Sequence, residues 1–431
     1  MQRNEPSRER RPRIVILGGG FAGAYCAQRL ERKLRADEAE VLLIDRNDYF
    51  VYDPLLVEAG TGSLEPRHTV VPLRRFVRSA GFRMAEVLAV DALKHTVTCQ
   101  VTEDDAVDVV EYDHLVISVG SVTQLPEIPG LRKYGFRMKS LADAVGLRDR
   151  AIRMLERADA VTDETVRRAL LHFVVVGGNF TGVEVAGEFH AFLRNAARVY
   201  RNVEPQECNV TLIERSDGIL RALDDPDLSA FAMRHLRRRG VSLRLETSVE
   251  RIEADRLVLN SGETVSARTV VWCAGISPNP LLRNLGLPTD ERGYLVCEPD
   301  LRVKGTRDVW AIGDCAVNVG RGGRTLPATA QTAVRTGAHL ARNIICALRG
   351  RKTTPPDVAP LGTLVALGYR SSVAKILGIK IWGFPAWFLW RTVYLMKMPG
   401  WTRRFRIALD WTINLFFGCD YVELGLYHER K

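Results

Sequence analysis

One pattern occurs twice in this 431-residue chain, and it restricts the possible folds more than any other feature. Arg13 to Leu30 (RIVILGGGFAGAYCAQRL) reads as an apolar β-type run, a glycine turn and a helical run, and Val41 to Arg46 follows as a buried strand ending in an acid. About 160 residues later Leu171 to Leu193 does the same, and Asn209 to Arg215 supplies the second strand, tipped by Glu214. A strand, a glycine-rich turn opening a helix, and an acid on the next strand form the start of a dinucleotide-binding βαβ unit. Two of them imply an α/β protein with two doubly wound, Rossmann-like nucleotide-binding domains. Val41-Leu42-Leu43-Ile44 has no polar position, as a parallel strand covered on both faces requires.

In the first motif Gly18 makes the tight turn, Gly20 lets a diphosphate approach the backbone, and Gly23 lets the helix pack on the strand. The diphosphate then meets the unpaired N–H groups and positive dipole end of the helix. Phe21 and Ala22 lie on the same turn, and Asp45 and Arg46 stand at the strand tip, where the acid can bond a ribose hydroxyl pair. In the second motif Gly177, Gly178, Phe180 and Gly182 keep the pattern, but Asn179 stands where the middle glycine belongs. Asn tolerates unusual backbone angles better than most residues, although its side chain is expected to crowd a diphosphate. Glu214 repels a 2′-phosphate and favours NADH over NADPH, and Arg215 beside it moderates that preference. Tyr112 to Ser121 and Thr269 to Pro280 each run from an apolar strand into a turn, at Gly120 and Gly275. Val309 to Ala316 ends at Gly313-Asp314, where the carboxylate suits either a ribityl hydroxyl or a helix N-cap.

The eight cysteines are scattered, no two closer than 18 residues, with no metal-ligand spacing. They read as small buried hydrophobes in a reducing compartment, and no metal site is expected. Residues 1–12, Arg-rich with no apolar run, read as a disordered basic arm and not a secretory signal.

The segments GGGFAG, IDRND, YDPLL, LVISVGS, GGNFTGVEVAGE, WCAGISPNP, AIGDCA and PATAQTA, in that order, resemble the type II (single-subunit, non-proton-pumping) NADH:quinone oxidoreductases over about residues 13 to 425. The resemblance implies FAD in a domain of residues 13–125 and 295–350, NADH in a domain of residues 165–290, and a membrane-association segment at 355–431. It implies hydride transfer from NADH to FAD and then two-electron reduction of a membrane quinone. It places Glu184 near the flavin–nicotinamide contact, and Ala330 and Gln331 at the flavin, with Gln331 also bordering the quinone. Lys380 matches a lysine near the quinone, and its alternative is interfacial snorkelling. Arg335 and Thr336 stand where many relatives have a second Gln. Two rivals share the plan: a sulfide:quinone oxidoreductase, and a redox sensor of the apoptosis-inducing-factor type.

The net charge of +10 is concentrated late in the chain. From Val358 to Leu409 there is no Asp or Glu and there are eight Lys and Arg, while five of the seven tryptophans lie between Trp382 and Trp411. Helical runs are expected over 385–398 and 402–417, neither with the ~20 uninterrupted apolar residues that spanning requires. Arg403, Arg406, Asp410 and Asn414 form a polar stripe on the second, opposite Phe405, Leu409, Ile413 and Phe416. The pattern suits a helix pair lying in an anionic lipid surface through residues 375–417, each basic residue adding about 1 kcal/mol. A homodimer interface is the alternative, and nucleic acid is not an expected partner. The expected location is the cytoplasmic face of the cell inner membrane.

Overall fold

The computed structural model describes residues 10–101, 106–359 and 361–425. The chain divides into two compact units, one drawn from residues 1–50, 71–122 and 277–360, the other from 51–70, 123–276 and 361–431.

The first unit is built on a seven-stranded sheet with Arg13–Leu17 at the centre of its five parallel strands. Glu40–Asp45 and His114–Ile117 flank it in parallel, and Gly81–Asp91 and Val309–Ala311 extend the parallel set on either side. Thr96–Val101 and Val107–Glu111 continue it antiparallel. Ile14, Val15, Ile16 and Leu17 are wholly buried, which is why these four positions carry no polar residue, while Arg13 at the strand's start is only part-buried. The helices Phe21–Lys33 and Ala330–Leu348 pack so closely that a Cβ on Gly337 would stand 2.3 Å from the Ala22 carbonyl oxygen.

The second unit repeats the plan with an all-parallel sheet ordered Gly135–Arg137, Thr269–Trp272, His172–Val176, Asn209–Ile213 and Ser242–Arg244. The helix Phe180–Ala196 leaves the central strand. Its buried side, with Val183, Val185 and Phe189, joins a core that also takes Leu56, Val57, Val365 and Leu367 from distant parts of the chain. A three-stranded antiparallel sheet, Gly362–Ala366, Ser372–Ile376 and Ile379–Gly383, leads into the helices Phe384–Lys397 and Trp401–Phe416. Met398, Pro399 and Gly400 separate the two, Gly400 at φ +89°. The chain then returns to the helix Leu141–Ala160: the N–H groups of Leu424 and Gly425 donate to the Asp149 carboxylate, and Arg153 pairs with Glu423.

The contact-defined units differ from the expected boundaries in three places. Residues 51–70 fold into the second unit, because Leu56 and Val57 pack beside Phe189. Residues 277–290 belong with the first, where Leu282 and Leu285 join its core. From residue 361 onward the C-terminal segment is part of the second unit and not a separate body. Most of the expected basic arm lies outside the described residues; Arg10, inside them, pairs with Glu111.

Backbone contact fixes the site helix at one point. A Cβ on Gly187 would lie 2.2 Å from the Leu367 carbonyl oxygen, and Gly368, at φ +75°, faces Gly187 in the same way. Neither backbone can retreat from this contact without disturbing the core beneath it. Gly187→Ala is expected to cost about 1–3 kcal/mol of stability by overpacking, read as a lower urea midpoint of the FAD-loaded protein.

Candidate functional site

In the first unit the glycine turn has the shape a diphosphate needs. Gly18 has φ +94°, and a Cβ on Gly23 would fall 2.0 Å from the Gly18 carbonyl oxygen, so both positions exclude side chains. Nothing lies within 4 Å of a Cβ on Gly20, which leaves open space before the helix. No side chain caps that helix and no acid sits in its first turn, so its free N–H groups and positive end remain available. Phe21 and Ala22 begin the helix, and Phe21 meets Phe50 edge-on. Asp45 accepts the Gly19 N–H at 2.6 Å and the Asn47 N–H at 2.8 Å, and burial, its largest influence, raises its pKa. The acid thus braces the turn with its first bonds and keeps further lone pairs for a ligand. Arg46 beside it is exposed.

Gly120, at φ +67°, follows the neighbouring strand. The Ser121 hydroxyl donates to Asp314 at 3.3 Å. The chain beyond Asp314 enters the short strand Ala316–Val317, so this residue caps no helix. Gln331 opens the helix Ala330–Leu348, whose N-cap is Thr329, and its buried Nε2 has no hydrogen-bond partner. A buried donor without a partner is costly; a flavin carbonyl edge at this helix start would satisfy it. Thr336 bonds the Thr332 carbonyl of its own helix, and Arg335 reaches the Ala359 carbonyl.

The second unit repeats the device. Gly177 has φ +113°, and a Cβ on Gly182 would lie 1.8 Å from the Gly177 carbonyl oxygen. Glu214 accepts the Gly178 N–H at 2.6 Å, the counterpart of Asp45 and Gly19. Burial works against its ionisation, but the Ser216 hydroxyl and the Gly178 and Ser216 N–H groups outweigh it and hold the carboxyl below its ordinary range. An ionised carboxylate here repels a 2′-phosphate. Asn179, expected to crowd a diphosphate, is turned back into the protein: its Oδ1 accepts the Gly182 N–H at 2.9 Å and its Nδ2 donates to the Cys273 carbonyl at 2.6 Å. It therefore consumes one of the helix's free N–H groups. Phe180 begins the helix, and Gly275, at φ +77°, stands beyond the adjacent strand.

Farther along the same helix Glu184 accepts the Ala366 N–H at 3.2 Å. Burial, with added repulsion from Glu188 and Glu58, pushes its carboxyl up to about 8; burial and Glu58 push Glu188 up to about 7. Glu58 comes from the short helix Leu56–Gly60, is 5 % exposed, and accepts the Trp411 Nε1–H at 2.7 Å. Arg391 lies 3.6 Å from the other Glu58 oxygen, with its guanidinium 4.3 Å from the Trp387 ring centre and 4.5 Å from that of Trp411. A cation between two indole faces is held by their quadrupoles as well as by the carboxylate. Glu58, Glu188, Trp387, Arg391 and Trp411 line a cavity of about 320 Å³.

Lys380 stands apart from this group. Its Nζ lies 2.7 Å from Asp227 and 3.0 Å from Asp225, and these two bonds raise its pKa.

The NDH2 C-terminal domain family matches residues 361–420, and the pyridine nucleotide-disulphide oxidoreductase family matches residues 12–337. The chain is 29 % identical to the type II NADH:quinone oxidoreductase NdhA of Mycobacterium tuberculosis, across 94 % of this chain and 87 % of that protein. It is 34 % identical to the demethylphylloquinone reductase NdbB of Synechocystis, across 93 % of this chain and 96 % of that protein. The chain belongs to the type II NADH:quinone oxidoreductase family. Its fold matches that of NDH2 from Plasmodium falciparum in complex with NADH at a TM-score of 0.88 and 20 % identity, covering 96 % of this chain and all of that one.

Within this type II oxidoreductase, sequence reasoning missed Glu58 and the role of Trp411 as its hydrogen-bond donor. Glu58 was visible as a lone acid in the otherwise apolar stretch LLVEAG, but its partners are more than 300 residues away. Glu184 and Glu188 bind their protons more tightly folded than unfolded, Glu184 moving from 4.5 to about 8 and Glu188 from 4.5 to about 7. The folded protein therefore holds more protons across that window, and stability falls as pH rises through it. A lower urea midpoint at pH 8 than at pH 5 is expected for the FAD-loaded protein, with a flatter fall in Glu184→Gln.

Proposed function

We infer that the chain is an FAD-dependent enzyme that oxidises NADH and reduces a membrane quinone, working as a peripheral protein on the cytoplasmic face of the inner membrane. The observation that carries this reading is one helix, Phe180–Ala196. Its start forms the second nucleotide cradle, and Glu184, a turn further on, keeps its carboxyl protonated near neutral pH. FAD, when bound, supplies the two-electron link between the nicotinamide and the quinone. Overall, NADH, one proton and a quinone become NAD⁺ and a quinol, so one proton beyond the hydride must come from solution.

The residues divide this work. Gly18, Gly20 and Gly23 admit one diphosphate, and Asp45 and Asp314 face the sugar and ribityl hydroxyls. Ala330 and Gln331 present the start of their helix to the flavin, where its positive end and the orphaned Nε2 stabilise negative charge. Gly177, Gly178 and Gly182 admit the NADH diphosphate, with Gly275 across the crevice, and Glu214 selects the 2′-hydroxyl. Glu184 orients the nicotinamide and holds a proton for the quinone. Lys380, already paired with Asp225 and Asp227, anchors the antiparallel sheet to the helix Pro226–Arg239 more readily than it serves a quinone oxyanion.

Membrane attachment is supported by the last helix, Trp401–Phe416, which is amphipathic in the inverted sense. The C-terminal part of its polar stripe faces the protein: Asp410 bonds His68 and Asn414 donates to the Ser63 carbonyl, beside Trp411, which bonds Glu58, and the buried Ile407, while Arg406 is exposed. Phe405, Leu409, Ile413 and Phe416 are 45–74 % exposed, and Phe384 and Phe388 on the preceding helix are likewise bare. So large a greasy surface needs an apolar partner, and the basic residues among it suit an anionic lipid surface. No helix among the described residues is long and apolar enough to cross a membrane.

The sulfide:quinone alternative needs a reactive thiolate. Burial instead pushes Cys208, Cys273 and Cys315 up to about 12, the wrong direction for a nucleophile. The redox-sensor alternative predicts NADH binding without rapid quinone turnover.

NADH oxidation by the FAD-loaded protein on anionic vesicles is expected to depend on added short-chain quinone; turnover indifferent to quinone would count against the reading. Glu184→Gln should lower quinone-dependent turnover by about 100-fold, the lower range for a lost proton-transfer group, with FAD content unchanged. Phe405→Asp combined with Phe416→Asp should release the protein from sedimented vesicles, because each buried Phe contributes roughly 1.5–3 kcal/mol. Continued sedimentation of that variant would refute the lipid face.

A further inference from the structure

The reaction consumes one proton from solution per turnover, and Glu184 is poorly placed to collect it. Its carboxyl is engaged by the Ala366 N–H, and it does not border the cavity. Glu188 does. On an α-helix the side chains of residues i and i+4 are neighbours on one face, with Cβ atoms about 5–6 Å apart, so Glu188 stands one turn from Glu184.

We propose that Glu188 is the residue that recharges Glu184, taking a proton from the cavity and passing it along the helix face each time Glu184 gives one up to the quinone.

Three features of the surroundings support this. First, the cavity is built to hold water. At about 320 Å³ it has room for several molecules, and Asn195, Asn414 and Tyr369 stand among the polar groups that water needs as partners. Second, it reaches the surface, since its rim includes the exposed Asn195, Arg239 and Arg370. Third, the charges on every side favour one movable proton over two fixed carboxylates. Glu184 on the same helix and Glu58 on the helix Leu56–Gly60 repel a second negative charge, while Arg391 on the helix Phe384–Lys397 attracts one. His190 and Arg194 lie farther along the same helix, where burial and Arg194 keep His190 neutral at ordinary pH, down to about 4. Tyr394, Tyr369, Tyr421 and Cys419, also around the cluster, are pushed upward by burial and stay protonated. Arg239 and Arg370 remain at the rim. Two carboxyls one turn apart with neighbouring proton affinities exchange a proton at little cost in either direction.

The transfer balances without any further reagent. The proton leaving Glu184 completes the quinol, the proton on Glu188 replaces it, and the cavity returns one to Glu188. No electrons move through either residue.

This inference rests on the reading of the chain as an NADH:quinone oxidoreductase, and its test separates the two. Full-length, FAD-loaded Glu188→Gln and Glu188→Asp are compared with the unaltered protein on anionic vesicles, with NADH and a short-chain quinone. Glu188→Gln is expected to bleach its flavin with NADH as fast as the unaltered protein. Its quinone-dependent turnover should fall roughly 10- to 100-fold, within the range for a positioned proton carrier, with a larger solvent deuterium isotope effect. Glu188→Asp, which keeps a carboxyl, should restore most of the rate with a shifted pH profile. Infrared difference spectra, which do not depend on turnover, should show a protonated-carboxyl band titrating near neutral pH that is absent from Glu188→Gln. Unchanged turnover and isotope effect in Glu188→Gln would overturn the proposal. So would an equal loss in both variants with a lowered urea midpoint, which would make the residue structural. An unaltered protein that shows no quinone-dependent turnover would instead overturn the reading of its function.

Discussion

The second unit is organised around a largely buried charge that has to be neutralised where the protein has displaced most of the water. Three carboxyls, Glu58, Glu184 and Glu188, are supplied by two helices, and burial disfavours ionisation of each. Arg391 opposes them from a third helix, and Trp387 and Trp411 confine it from both faces. Desolvating an ion pair is expensive unless its geometry and remaining hydrogen bonds are good. Here the Trp411 N–H completes the arrangement by bonding Glu58. The docking of both C-terminal helices and the proton affinity of the site are consequently set by the same few contacts.

The two nucleotide motifs were legible because their chemistry is local. A glycine turn, the strand before it and the helix after it lie within about 20 residues, so Gly18, Gly23, Gly177 and Gly182 carry their structural reason in their spacing. The acids Asp45 and Glu214 were found for the same reason, although their first use, bracing the turn through the Gly19 and Gly178 N–H groups, shows only in three dimensions. Asn179 is the instructive departure. Its polarity and length suggest obstruction, yet the same two properties let it cap its own helix and reach the Cys273 carbonyl, which moves it out of the way.

What escaped the sequence is long-range. Nothing near Glu58 announces Trp411 or Arg391, and nothing in residues 51–70 says that they fold with the second unit and not the first. The helices of the C-terminal segment were placed within a residue, because the nearly all-apolar run of the first and the opposed stripes of the second are local. Which stripe faces the protein could not be read that way. An amphipathic helix on a water-soluble protein buries its apolar side, and only the partners His68, Ser63 and Glu58 reveal that this one turns Asp410 and Asn414 inward and leaves most of its apolar stripe bare.

That reversal divides the final helix into two kinds of position. Inward-facing Asp410, Trp411 and Asn414 each have a specific partner, so their identities are dictated atom by atom. Outward-facing Phe405, Leu409, Ile413 and Phe416 answer to a fluid, which has no shape to match and asks only for oiliness. Exchanges among bulky nonpolar side chains on that outer stripe should therefore pass unnoticed by the rest of the molecule, whereas a one-atom change on the inner stripe would be felt at once.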